Sequence, residues 1–375
     1  MRRLPLKFPK TRRGRLALGA LGLVAIVAAL PLTRYITRAA WEEWKILRRR
    51  TPITRVLAEG ALSPNERAKL ALVLAARAFA ADSLGLPAQN KFTQFSRLDR
   101  DTLVLVLSAA RRDTLALHTW WFPIVGKVPY KGYFNFGAAR RDSIDFERRE
   151  YDTDLRPAAA FSTLGWFDDP LLSTTLRQDS ISLVNTVVHE LTHNRVFVKG
   201  EVEFNESFAA FVGARGSAAF FRARGDSAAL RVIELRWHDE QLRALYVARL
   251  LASLDSAYAA HPGDRAARLR ARDTVYARAL ALLVDSLTRT RGDSMARRVQ
   301  QRFRFNNASL LARRVYGRDL PLFDSLHVAL GDDLRTTIDS VVAAARGAGP
   351  PFAAMRALLR SVKSDSAGAR RNGRG

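Results

Sequence analysis

The chain opens on an abrupt change of polarity. Residues 1–15, MRRLPLKFPKTRRGR, are basic without a single acid, and the run that follows, LALGALGLVAIVAALPL from Leu16 to Leu32, has no charge on any face. A helix built from that run is apolar all round, at the short end of a membrane span and slightly longer than a signal-peptide core. No small-x-small cleavage site follows it. The pattern therefore predicts an export signal retained as a transmembrane anchor, with secretion after cleavage as the alternative. The basic leader is then cytoplasmic, and the chain beyond about residue 35 faces the periplasm or the exterior. The next stretch, RYITRAAWEEWKILRRR, sets Trp41 and Trp44 among arginines and fits equally a helix lying along the membrane surface.

Polarity then takes on the helical period. SPNERAKLALVLAARAFAADSLG predicts a helix with Ser63 as N-cap, Pro64 at its first position and Gly85 as its stop. DTLVLVLSAA, LALHTWWFPIVG, KVPYKGYFNF and LRPAAAFSTLGWF are short, rich in β-branched and aromatic residues and broken by Gly and Pro. They predict strands and hairpins between about 102 and 167. From about Ser180 the apolar positions return to helical spacing and keep it nearly to the end, where SDSAGARRNGRG reads as disordered. No repeat of fixed period is visible. The expected organisation is a leader and anchor over 1–34, one α+β domain over 35–360 that is helical from about 220 onward, and a basic tail over 361–375.

Composition changes this picture in two ways. The 61 Lys+Arg against 36 Asp+Glu give a formal charge of +25, which raises the question of nucleic acid. Beyond the first fifty residues and the ARRNGRG tail, however, the basic residues sit singly beside Asp and Ser, with no aromatic interleaving, so no nucleic-acid partner is expected. There is no cysteine. That excludes disulfides, thiolate ligands, a thiol nucleophile and a lipidated cysteine, and leaves any metal to His and carboxylate, a donor set that suits zinc or a neighbouring divalent ion.

Such donors recur in VVHELTHNRVFVKGEVEFNESFAAFVG, residues 187–213. On a helix, His189 and His193 share one face a turn apart and can offer two imidazoles to one ion. Glu190 then sits beside that ion, placed to take a proton from water. Gly200 marks a turn, and FNESFAAFVG starts a second helix with Asn205 as its expected N-cap and Glu206 in its first turn. Folded back antiparallel, that helix brings Glu206 over the His pair as a third ligand; the alternative is an ordinary first-turn glutamate favoured by the helix dipole. Three protein ligands leave a position open, as catalytic sites do. His118 lies in a strand-like run and reads as structural, and His238, His261 and His327 have no partner at ligand spacing.

Several strings, namely RRRTPITRVLAEG, ARAFAADSLGL, WFPIVGKVPYKGYF, AFSTLGWFDDPLLST, HELTHNRVFVKGEVEFNESFAAFV and, later, NNASLLARRVYG, resemble a bacterial family of predicted aminopeptidases grouped with zinc metallopeptidases of the gluzincin type. The resemblance runs from about Tyr35 to Gly213, roughly half the chain. It implies an α+β, zincin-like fold with a small mixed β-sheet, zinc on His189, His193 and Glu206, and Glu190 as catalytic base. The chain departs from the pattern in lacking a lipidated cysteine and in carrying Trp121 and Lys127 where relatives are expected to have cysteines. It also has Ala210 where better-known gluzincins have an acid that braces a histidine.

These residues predict a peptidase acting on peptide or protein substrates. The strand LRPAAAFSTLG is the expected edge for an extended peptide. Tyr133 in KGYF is the expected oxyanion donor. Aminopeptidase action needs a further carboxylate for the free α-amine; Asp168 and Asp169 are candidates, although a helix-start turn accounts for them equally. A membrane-tethered binding protein with a non-catalytic metal site and a metal-dependent amidase on a non-peptide substrate remain open alternatives. The sequence does not indicate an oligomeric state.

Overall fold

A computed structural model of the chain describes residue 11 and residues 31–122, 126–158, 170–347 and 349–372. The architecture is mixed α+β, mostly helical with small sheets. The apolar run expected to anchor the chain lies outside the described residues up to position 30, and no described helix is long and apolar enough to cross a membrane. The chain divides into two units, Met1–Arg50 and Thr51–Gly375. In the first, helix α1 (Pro31–Arg48) stacks Trp41 on Trp44 at 4.8 Å, sets the Arg48 guanidinium over the Trp44 ring at 5.1 Å and pairs Lys45 with Glu42 at 2.7 Å.

The second unit begins with β1 (Thr51–Pro52), α2 (Ile53–Glu59) and α3 (Pro64–Asp82). Helix α3 starts as its sequence predicts: the Ser63 side chain accepts from the Glu66 N–H, the Glu66 carboxylate accepts in return from the Ser63 N–H, and Gly85 follows the helix at φ +67°. Then come β2 (Gln94–Ser96), β3 (Val104–Arg111), β4 (Trp120–Phe122), β5 (Gly126–Val128), β6 (Lys131–Tyr133), α4 (Phe136–Arg148), β7 (Tyr151–Ala158) and β8 (Leu171–Leu172). Helix α4 interrupts the expected all-strand stretch. Asn135 caps it through the Ala138 N–H, and Ala139, Ser143 and Phe146 recur on one face at helical spacing, a local signal that the flanking strand patterns obscure.

Thereafter the chain is helical: α5 (Ser180–Arg195), α6 (Val202–Ala223), α7 (Ser227–Ala259), α8 (Arg265–Arg291), α9 (Asp293–Arg302), α10 (Asn307–Gly317), α11 (Leu320–Ala329), α12 (Leu334–Ala345) and α13 (Pro351–Asn372). Helix α13 runs through most of the expected tail, because its start is fixed by buried Phe352 and Met355 and an existing helix is extended at little cost.

The principal sheet is antiparallel in the order β6-β3-β7, which leaves β7 at an edge among the described residues. Side chains alternate across β3. Leu107 and Ala109 face α4 together with Tyr133 and Phe146, whereas Ala110 joins Leu250, Leu254 and Leu311 of α7 and α10 on the other side. Helix α6 is apolar nearly all round and forms the centre of the unit, packed against α5, α7, α10 and α11. Its Phe204, Phe208 and Phe211 surround Phe323 of α11 with ring centroids 5.4 to 6.1 Å apart, each burial contributing on the order of 2 kcal/mol.

One buried side chain ties the sheet to the C-terminal helices. The Asn307 amide donates to the main-chain oxygens of Arg111 (2.8 Å) and Thr114 (3.1 Å), its carbonyl oxygen accepts from Tyr276 (2.6 Å), and its N–H donates to Asp152 (2.8 Å). Arg272 of α8 reaches the same Asp152 carboxylate at 2.6 Å. Asn307→Ala strips partners from several buried groups at once, and urea titration should show it to cost about 3 kcal/mol of stability.

Candidate functional site

Helix α5 is started by Asp179, whose carboxylate accepts from the Ser182 N–H and hydroxyl, both at 2.9 Å. One face of α5, formed by Val184, Val187, Val188 and Leu191, is fully buried against the core. His189 and His193 stand next to that face, with ring centroids 5.0 Å apart and planes crossed at 83°. Helix α6 comes close to α5 because two positions lack a side chain. A Cβ on Gly216 would lie 2.7 Å from Val188 Cγ1, and one on Gly213 would lie 3.1 Å from Asn185 Oδ1 and 3.3 Å from His189 Cβ.

That approach brings Glu206 to the histidines. Its Oε2 lies 3.3 Å from His189 Nε2 and 3.8 Å from His193 Nε2, and one ligand atom from each of the three residues falls within 4.8 Å of the others. Four donors at about 2.05 Å around a tetrahedral ion stand about 3.3 Å apart; the His189–Glu206 pair has that separation at 3.3 Å, and the His193–Glu206 pair is wider at 3.8 Å. The three side chains are 16, 18 and 22% exposed, so the cluster is partly accessible to solvent.

The local route to this arrangement differs from the expected one. Helix α6 starts at Val202, so Asn205 is not its cap and Glu206 lies in the second turn, where the helix dipole does not account for it. Asn205 is instead buried: its amide group donates to the Val198 carbonyl at 2.8 Å and its carbonyl accepts from the Val198 N–H at 2.9 Å, pinning the link between the helices. Asn194 of α5 donates to the Pro87 carbonyl at 2.8 Å, and Lys91 approaches the Glu190 carbonyl at 3.4 Å.

The charges of the three side chains act on one another. Burial disfavours a charged Glu206, but the His189 hydrogen bond and the charges of the histidines and Arg156 hold its carboxyl below the usual range. Burial also opposes a charged His189; the Glu206 hydrogen bond, the Glu190 charge and a hydrogen bond with the Ala209 main chain outweigh it and raise that imidazole. The Ala209 main chain thus braces a ring for which Ala210 offers no acid. Burial and the neighbouring His189 push His193 down, towards the neutral form that a ligand needs. His193 Nδ1 is buried with no hydrogen-bond partner among the described residues.

Tyr133 lies on the other face of the sheet from Ser108 and Arg156. It pairs with Leu105 on the α4 face of the sheet, is buried beside Leu107 and Phe146, and donates its hydroxyl to Asp142. The phenols that do approach Glu206 are Tyr130 and Tyr316. A recess beside Glu206 is lined by both, with Ser108, Arg156 and Ala312. Each ring keeps one open side, at 37 and 41% exposed, while the protein packed around it and the Glu206 charge raise its pKa against the opposing pull of Arg156. Both remain protonated donors at neutral pH.

Tyr130 lies three residues before Tyr133 in the same string, and Tyr316 is the penultimate residue of NNASLLARRVYG. Arg156 takes this face because it stands opposite Val106, two places along from Ser108. His118 lies in an aromatic group with Trp120, Phe146 and Tyr151, as a structural residue does. Trp121 and Lys127 are directly opposed across the β4–β5 hairpin. Asp168 and Asp169, and the part of the expected peptide-binding strand beyond Ala158, lie outside the described residues.

A family model described as "Putative aminopeptidase" matches residues 34–348. The chain belongs to this aminopeptidase family. The match exceeds the half expected from the motifs and takes in α7 to α12, so the C-terminal helices are part of the aminopeptidase unit. It supports a peptidase-like function. Comparison with curated proteins and with solved structures finds no match.

The cap of α5 gives a pH test. Burial opposes ionisation of Asp179, yet the Ser182 N–H and hydroxyl and the Arg236 guanidinium hold its pKa down to about 2. A depressed carboxylate stabilises the fold above its unfolded pKa, about 3.9, and that contribution is lost as pH falls towards about 2. Because the group is half exposed, most of the effect is the cap itself. Metal-free Asp179→Ala should be about 1 kcal/mol less stable than wild type at neutral pH, with the gap closing over that acidic window in urea titrations.

Proposed function

We propose that the protein is a zinc-dependent metallopeptidase of zincin type that acts as an aminopeptidase. The observation carrying this reading is the convergence of His189, His193 and Glu206 with ligand atoms within 4.8 Å, on helices that also bring Glu190 to the same place. A zinc ion bound there would polarise the scissile carbonyl and acidify an attacking water. Glu190 accepts that water's proton and returns it to the departing amine; its charge already acts on both imidazoles and on the Tyr316 phenol. Tyr316, rather than Tyr133, is the donor for the developing oxyanion, with Tyr130 beside it.

The extended peptide adds to the outer edge of β7, whose Arg156 lines the recess at Glu206. The family match supports the peptidase character, and the donor set supports the metal. The apolar run over Leu16–Leu32 serves in this reading as the membrane anchor of an extracytoplasmic enzyme.

The test uses purified protein with added zinc. One zinc per chain should be measured by elemental analysis, and His189→Ala should lose it. Glu190→Gln should keep the metal and lower kcat by about a thousandfold. Zinc bound stoichiometrically to a wild type that hydrolyses no peptide would instead favour a binding protein. Tyr316→Phe should lower kcat by about a hundredfold with KM little changed, and a Tyr133→Phe effect of that size would restore the role to Tyr133. Free peptides should be cleaved and their N-acetylated forms spared; equal rates would remove the aminopeptidase specificity while leaving a peptidase.

A further inference from the structure

A cleft of about 800 Å³ runs between α7 and α10 and shares Arg156, Ala312 and Tyr316 with the small recess at Glu206, so the two cavities adjoin at the candidate site. Its size falls within the range of ligand-binding pockets. Its charged lining is dominated by arginine: Arg156, Arg243, Arg313, Arg314, Arg318 and Arg356, against Glu240, Asp255 and Asp319. Most of these guanidinium groups are engaged. Arg243 pairs with Glu240, Arg356 pairs with Asp319 at 2.7 Å, and the Glu203 carboxylate takes both Arg314, at 2.7 Å, and Arg318.

Arg156 differs from them. Its side chain is 35% exposed and its closest carboxylate, Asp154, stands 3.6 Å away, beyond hydrogen-bond length. No hydrogen bond among the described residues engages its donors. The guanidinium lies 5.8 Å from the centroid of the Tyr316 ring, which orients it without using its in-plane N–H groups. A fork of donors with no hydrogen bond among the described residues, held over an aromatic ring where the cleft meets the Glu206 recess, fits a planar carboxylate.

We propose that this cleft receives the leaving-group side of the peptide and that Arg156 binds a carboxylate there, making acidic or short free-acid peptides the preferred substrate class. The inference rests on the peptidase reading. The carboxylate has two sources, an Asp or Glu side chain and the chain's own C-terminus. An aminopeptidase cleaves after the first residue, so the rest of the substrate must occupy the open cleft, and there either source can reach Arg156.

Binding separates this inference from catalysis. Calorimetric titration of zinc-loaded Glu190→Gln with Leu-Ala-Glu-Ala amide, Leu-Ala-Gln-Ala amide and Leu-Ala-Gln-Ala free acid should show at least about tenfold tighter binding of one or both charged peptides. A gain only for the first assigns the site to an acidic side chain, and a gain only for the last assigns it to the C-terminus. Adding Arg156→Gln should bring the charged-to-neutral affinity ratio close to one, and Arg156→Lys should retain part of it. Equal affinities in the parent protein, an unchanged ratio in Arg156→Gln, or the same loss for charged and neutral peptides would each overturn the proposal. In the last case Arg156 only supports Tyr316. Wild type that cleaves the neutral peptide while the ratios fail leaves the peptidase reading intact; wild type that binds the charged peptides selectively but cleaves none defeats that reading instead.

Discussion

The close approach of α5 and α6 is the constraint on which the site depends. The carboxylate of Glu206 on one helix and the imidazoles of His189 and His193 on the other converge where the two helices pack together. Gly213 and Gly216 allow this, the second so tightly that even a methyl group would overlap Val188. The approach is enforced from outside by the apolar face of α5 and the phenylalanines of α6, which drive both helices into one core. The Asn205–Val198 pair then fixes where α6 begins and hence which of its turns faces the histidines. The core thus supplies the force, the glycines the distance and the asparagine the register.

The electrostatics follow from that geometry. Glu206 is a half-buried carboxylate with no arginine or lysine bonded to it among the described residues; its partners are imidazoles and, at longer range, Arg156. Elsewhere in the unit, buried acids are met directly by arginine, as at Asp113 with Arg268 at 3.0 Å and Asp152 with Arg272 at 2.6 Å. The contrast separates an acid that serves the fold from one that is left able to take a cation.

How much of this the sequence disclosed depends on range. His189, Glu190 and His193 were legible because helical spacing alone puts the imidazoles on one face. Glu206 was legible as a candidate because a turn at Gly200 folds the next helix back. Its exact support was not: Asn205 has the residue type of a cap, and only the tertiary position of Val198 shows it to be a staple instead. The face that Tyr133 takes was not legible, because motif proximity does not say which face of a strand a side chain takes. Lys131 and Tyr133 flank one glycine on β6, and the pairing with β3 turns Tyr133 towards α4. Helix α4 was hidden among aromatic strand patterns. Tyr316 stands more than a hundred residues from Glu206 along the chain, a distance no local pattern spans.

That long separation explains why the C-terminal helices belong to the peptidase unit. Tyr316 and the arginines of the cleft reach the site only if α10 is held against the sheet, and Asn307 at the start of α10 does the holding. The main-chain oxygens it grips belong to the end of β3 and the turn after it, the strand whose Ser108 lines the same recess as Glu206. The Asp152 that accepts its N–H lies on β7, four residues before Arg156. One buried amide therefore sets the position of α10 relative to both strands, and with it the relation of the phenol on α10 to the guanidinium on β7. The helices α7, α8 and α10 close around the same amide network through Tyr258 and Tyr276, so the wall of the cleft and the donors beside Glu206 are parts of a single packed assembly.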